Sequence, residues 1–219
     1  MVSNFKFSDL FEDKLEYAEY ARKQSSYYKE YQQLIDEAVL FVKSNLKLEN
    51  SSLHKSLRFF HTVKDLKAVT LDSMRLRSSE KELHVSLVQY YSSYRVGKNS
   101  NAGTDQYIFG YITLKNNYPK TYIHKETIRD KIEDVFEKID VDFDHCKEFS
   151  RKFEVLTEDK NQLHQLLRSK NLDVLANFPD MELEFLKNTF LYRSSRKAIS
   201  LVEANIFCEL TKVLLDIFD

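Results

Sequence analysis

Glycine and proline are nearly missing from this chain: its 219 residues include three glycines and two prolines, where average usage would give roughly 15 glycines. Loops that cradle phosphates, nucleophile elbows and dinucleotide turns need glycine where the backbone approaches a ligand or takes a positive φ. Only Gly97, Gly103 and Gly110 could serve. Gly97-Lys98 has Ser92 where the first glycine of a Walker loop would stand, and no Gly-x-Ser-x-Gly occurs. Cysteine is scarce too. Cys146 and Cys208 make no disulfide framework, and no short apolar stretch follows Met1 as a secretory signal requires, so a cytoplasmic setting is expected. The longest apolar stretch, Ala38 to Val42, falls far short of the roughly 18 residues that span a bilayer.

Apolar residues, by contrast, are plentiful. They make up 42% of the chain, with 16 Phe and 13 Tyr, enough to offset the entropy lost on ordering a backbone. The net charge of -1 conceals an uneven spread: residues 51–125 carry twelve Lys and Arg against five Asp and Glu, and residues 126–219 carry fourteen against twenty. Oppositely charged segments can neutralise each other across one fold, or the basic middle can form a patch for an anionic partner.

Ser8 before Asp9 and Glu12 is a helix start, in which the hydroxyl accepts an orphan backbone N–H and the acids suit the positive helix end. Phe11, Leu15, Ala18, Tyr28, Tyr31, Ile35, Ala38, Val42 and Leu46 recur at helical steps, which predicts one long helix over Asp9–Lys47 with a possible break at Gln24-Ser25-Ser26. The turn signal Asn50-Ser51-Ser52 precedes Leu53, Leu57, Phe60 and Val63, a second helix to about Lys67. Together the two form an N-terminal helical hairpin over residues 1–67. From Ala68 the period changes to two. Val69, Leu71, Leu83, Val85 and Leu87 read as strand, a polar loop follows at Gly97–Thr104, and Tyr107–Leu114 is expected to pair antiparallel with Leu83–Tyr94. Thr121–His124 continues the sheet. Ile128 to Ile139 looks helical, Lys152–Leu156 extended, and Lys160–Asn177 helical behind an Asp159 cap. Met181–Ser195 reads as two strands around Lys187-Asn188, and Ser200-x-x-Glu203 is a capping box opening a final helix.

The order of Asp142, Phe143, Phe149, Phe153, Val155, Asp159, Leu166, Leu167, Leu175, Leu191 and Tyr192 resembles that of a family of uncharacterised bacterial domains of unknown function. The resemblance covers about Met74 to Asp219, most clearly from Asp140, and leaves the long N-terminal helix outside it. It implies a compact α+β domain, in some members attached to membrane segments, with no assigned catalytic residues.

Chemical motifs are few. Asp140-x-Asp142-x-Asp144 opens like a calcium loop, but His145 and Arg151 stand where the loop needs glycine and a bidentate Glu. His145-Cys146 suggests an activated thiolate, yet neighbours on a helix point in different directions. The six histidines include no i, i+4 pair with an acid between, and no Cys-x-x-Cys occurs, so no zinc site is signalled. Tyr90, Tyr91, Tyr94 and Arg95, with Arg75, Arg77, Lys98 and Tyr107 nearby, form the one cluster suited to binding. Tyr and Arg can stack bases and hold phosphates, and they also anchor protein interfaces.

The expected fold is α+β: an antiparallel sheet packed by C-terminal helices over residues 68–219, with the helical arm over residues 1–67. The expected function is a non-catalytic intracellular interaction or accessory module without a cofactor or metal. Ile35, Val42, Tyr90, Tyr91, Tyr94 and Arg95 would bind a protein partner, or another copy through the N-terminal helix. The alternative is nucleic-acid or anionic-surface binding through the Tyr-rich basic segment 75–107.

Overall fold

The computed structural model describes residues 9–51, 60, 62, 68–76, 82–96, 99–125 and 141–218. The first element is α1, Asp9–Asn45, thirty-seven residues without a break. Gln24, Ser25 and Ser26 do not interrupt it, because each costs only a few tenths of a kcal/mol against the best helix formers. The helix ends where Lys47 takes φ 53°. Of the second predicted helix only Phe60 and Thr62 are described, and the helix expected over Ile128–Ile139 lies outside the described residues.

The sheet is antiparallel and six-stranded: β1 Leu48–Asn50, β2 Ala68–Leu76, β3 Leu83–Val96, β4 Asn99–Lys125, β5 Phe153–Thr157 and β6 Glu182–Arg193. β1, β2, β3, β4 and β5 follow one another across it, and β6 also pairs with β4. The β3–β4 ladder runs from Leu83↔Ile112 to Val96↔Asn99. Residues 99–104 are therefore strand, where the sequence suggested loop, because a two-residue connection suffices for a hairpin.

β6 cannot be straight. Twelve extended residues would hold its ends roughly 36 Å apart, yet Arg193 Nη2 lies 2.7 Å from Glu182 Oε2 and the Phe185 and Phe190 rings are 5.2 Å apart. Lys187, with φ 56°, marks the reversal. The two strands expected around Lys187-Asn188 are thus one sharply bent strand, which pairs with β4 on both sides of the bend and not with itself. β4 follows it on both sides: Gly110–Thr113 pair with Tyr192–Thr189, Thr121–Ile123 pair with Phe185–Leu183, and the register breaks between Thr113 and Thr121.

After the sheet's central strands come α2 Lys147–Lys152, α3 Lys160–Leu167, a 3-10 turn at Asp173–Asn177 and α4 Leu201–Ile217. Asp159 caps α3 by accepting from Gln162 N at 2.9 Å, and Ser200 caps α4 by accepting from Glu203 N at 3.2 Å. The helix expected over Lys160–Asn177 stops ten residues early, at Leu167. There the chain turns so that Leu172 N donates to Cys146 Sγ at 3.3 Å, a bond that ties this loop to α2.

One face of the sheet carries the main core. Leu83, Val85, Ile108, Ile112, Phe190 and Tyr192 meet Ile35, Ala38 and Val42 of α1 and Phe207, Leu210 and Leu214 of α4. The C-terminal half of the arm thus shares one core with the sheet. Gly110 lets this face close, since the Tyr192 ring occupies the place of a Cβ.

Candidate functional site

The second face of the sheet is set by strand alternation: His84, Ser86, Val88 and Tyr90 on β3, Tyr107, Phe109 and Tyr111 on β4, Leu191 and Arg193 on β6. Phe60 is buried against Val88, Tyr90, Phe109 and Leu191, with its ring edge-on to Tyr111 at 5.9 Å. Tyr90 and Tyr107 meet edge to face at 4.9 Å, and the Arg193 guanidinium lies 5.6 Å from the centre of the Phe109 ring.

Beside these aromatics sits a buried charge cluster. Glu182, 1% exposed, accepts from Arg193 Nε at 3.0 Å and Nη2 at 2.7 Å through one oxygen, and from Arg196 Nε through the other. Burial pushes its carboxyl pKa upward, but Arg193 and then Arg196 outweigh it and hold the group below the ordinary carboxylate range. Next along the sheet, buried Glu184 accepts from the backbone N–H of Thr62 at 2.8 Å and from its hydroxyl at 2.6 Å. His124, buried beside Tyr122, has Nδ1 2.9 Å from Lys125 O and Nε2 3.3 Å from Glu154 Oε2.

The cluster joins the two ends of the bent strand β6, and Thr62 and Phe60 join an earlier segment to the same face. Two of its acids are engaged, Glu182 by two arginines and Glu184 by Thr62, while His124 Nε2 is buried without a hydrogen-bond partner. No serine or cysteine nucleophile stands beside a base among these groups. The Tyr90 hydroxyl is buried with no hydrogen-bond partner, and burial foremost raises its pKa, so it stays protonated at neutral pH.

The sequence-predicted residues do not converge on one site. Ile35 is 1% exposed and Val42 fully buried in the chain's own core. A partner-facing role for these two is corrected, since a side chain packed under the sheet offers no surface. Tyr90 is likewise buried. Tyr91, Tyr94 and Arg95 lie opposite Thr104, Asn101 and Ser100, on the part of the β3–β4 hairpin that runs beyond the last β2 pair, Ala68↔Tyr90. Arg75 forms an ion pair with Glu49 at 2.8 Å, so its charge is spent within the sheet edge.

The remaining motifs resolve locally. Asp142 and Asp144 are exposed, and among the described residues no group of three or more His, Cys, Asp or Glu side chains could hold a metal ion. His145 is exposed while the Cys146 thiol donates inward to Lys170 O at 3.5 Å, so the neighbouring pair points apart. Cys208 is buried on α4; burial pushes its thiol up to about 11, against the pull of Lys212.

Sequence reasoning missed the Glu182–Arg193–Arg196 cluster. A signal was there. Glu182 stands five residues before Lys187 and Arg193 five after Asn188, so a chain reversal about Lys187-Asn188 brings the two opposite charges near each other.

α1 adds a second surface. Tyr28, Ile35 and Val42 are spaced seven apart and follow nearly one line along the helix. Val42 and Ile35 are covered, whereas Tyr28 is 59% exposed. Tyr31, one turn before Ile35, still packs against the core, and the helix continues nineteen residues beyond Tyr28 to Asp9, about 28 Å.

These features define an α+β protein with an antiparallel sheet, one helix-covered core face and a long helix α1 that is exposed at Tyr28. Comparison with family models, with curated proteins and with solved structures yields no match. Among the described residues no helix is long and apolar enough to cross a membrane.

Proposed function

We propose that this protein is a non-catalytic interaction module that binds protein partners through the outer half of α1, an accessory role of the kind implied by its resemblance to uncharacterised bacterial α+β domains. One observation carries the reading. The helix line buried at Val42 and Ile35 passes out of the core at Tyr28 while the helix itself goes on. A helix of this length draws most of its stability from tertiary packing, so an exposed Tyr28 on the line of Ile35 and Val42 suits a contact with another protein surface. The two buried acids of the second sheet face support the non-catalytic part, because Glu182 is held by two arginines and Glu184 by the Thr62 hydroxyl and N–H. The burial of Tyr90 takes one member of the basic, Tyr-rich cluster away from a nucleic-acid surface, and Glu49 partly offsets the charge of exposed Arg75.

The test is comparative capture under native conditions. Tyr28→Lys should lose the proteins that co-purify with the wild-type chain, while Val202→Lys, at a 68% exposed position on α4, should retain them. Identical capture by both variants would contradict the reading.

A further inference from the structure

β4 and β6 fall out of register partway along their ladder, and the break opens a cavity. Thr113 pairs with Thr189 and Tyr118 with Lys187, so four residues of β4, Leu114 to Asn117, stand against the single residue Asn188. Surplus residues on one strand bend it and re-aim its side chains, which is why bulges recur beside binding and active sites. Here they bring Lys115 and Asn116 to a cavity of about 290 Å³ whose other side is the end of α3 and the turn after it, with Gln165, Ser169 and Lys170. Tyr118 and Phe218 form its aromatic wall, their ring centres 6.1 Å apart. Two cations line this cavity, and among the described residues lining it there is no acid. Neither ammonium group forms an ion pair or hydrogen bond with a described residue. Lys170 by itself would suit the negative C-terminal end of α3, which stops at Leu167. Lys115 comes from another element and has no such counterpart. Two like charges lining one cavity repel, and an anion between them turns the repulsion into attraction.

We propose that this cavity binds a small phosphate monoester. Its phosphate carries roughly −1.5 to −2 charges at neutral pH, which matches two ammonium groups. Lysine binds phosphate as a point charge and needs no fixed fork geometry. The amides of Asn116 and Gln165 and the Ser169 hydroxyl supply neutral donors for the remaining phosphate oxygens and for hydroxyls on the ester. A single carboxylate would leave one lysine unmatched. The volume is at the low end for ligand pockets, so it suits a small polar body and not a lipid tail. No residue of α1 lines the cavity, and its ligand is a property separate from the contact role of that helix.

Isothermal titration calorimetry on the full chain at low salt tests the site, with circular dichroism confirming the fold of each variant. Glycerol 3-phosphate is the probe, glycerol the neutral control, and vesicles containing phosphatidic acid present the same group on a lipid. The wild-type chain should bind glycerol 3-phosphate with a Kd of about 1 mM or tighter and should not bind glycerol. Lys115→Gln and Lys170→Gln should each weaken binding at least about fivefold. Lys29→Gln, at an exposed position on α1, should leave it unchanged. Absence of binding at about 10 mM glycerol 3-phosphate overturns the proposal. Equal losses in all three variants would mean diffuse attraction to surface lysines and also overturn it, as would unchanged affinity in both cavity variants or binding to the vesicles alone.

Discussion

The Tyr192 ring stands where a side chain on Gly110 would have to go. A Cβ at Gly110 would lie 2.0 Å from Tyr192 Cζ, a separation no real atoms adopt. The two residues are register partners on β4 and β6, and the ring continues upward to stack on Phe207 at 5.3 Å, with its hydroxyl 2.7 Å from Thr211 Oγ1. One missing methyl group thus lets the sheet accept a fully buried tyrosine that reaches α4.

Gly110→Ala should therefore destabilise the fold by about 1–3 kcal/mol or more, the usual cost of overpacking a filled core. Urea denaturation of the variant measures it. Tyr192→Phe keeps the ring and deletes the bond to Thr211, and should cost less, about 0.5–1.5 kcal/mol. A Gly110→Ala variant as stable as wild type would mean the ring can move aside.

Glu182 should make the protein acid-sensitive. Its carboxyl pKa is lower in the fold than in the unfolded chain, so the unfolded state binds more protons at low pH. The stability it contributes is fully present above the ordinary value of 4.5 and is lost as pH falls through the lower folded value. Glu182→Gln should remove this part of the acid dependence and leave Arg193 buried without its counter-charge, at a cost of about 3–5 kcal/mol. Thermal melts of both proteins across the acid range read the difference, and parallel pH profiles would contradict it.

The caps at Asp159 and Ser200 and the strand periods of Leu83–Leu87 were legible because each is a local rule acting on adjacent residues; the signal at Lys187-Asn188 marks a bend in one strand and not a hairpin. Less visible was where α3 ends: Leu172 is drawn off the helix by the Cys146 thiol twenty-six positions earlier, which no local pattern records. Period alone also left open which stretch of the α1 stripe is covered. Ile35 and Tyr28 occupy nearly the same helical line, and only the reach of the sheet and α4 separates a buried residue from an exposed one. Glu182 and Arg193 of the charge cluster were readable in principle from a chain reversal at Lys187-Asn188, but its third member, Arg196, lies beyond the strand and is brought in by the chain's path toward α4.

That difference along α1 has a direct consequence for mutants. Ile35→Ala should destabilise the monomer by about 2–5 kcal/mol through the cavity it leaves, whereas Tyr28→Ala should change monomer stability by no more than about 0.5 kcal/mol. Assembly should respond in the opposite order. Denaturation midpoints at low protein concentration, set beside association measured at high concentration, separate the two effects; equal destabilisation by both variants would show that the core extends past Tyr28.

Hydrogen exchange across α1, measured with and without the proteins captured under native conditions, tests most directly whether its two halves do different work. Amides of residues 31–46 should be protected in both samples, because they belong to the core. Amides of residues 12–27 should exchange quickly in the free chain and gain protection when a partner covers them. Exchange over residues 12–27 that is equally fast in both samples, or already as slow as in residues 31–46 in the free chain, would contradict a contact surface that a protein partner completes.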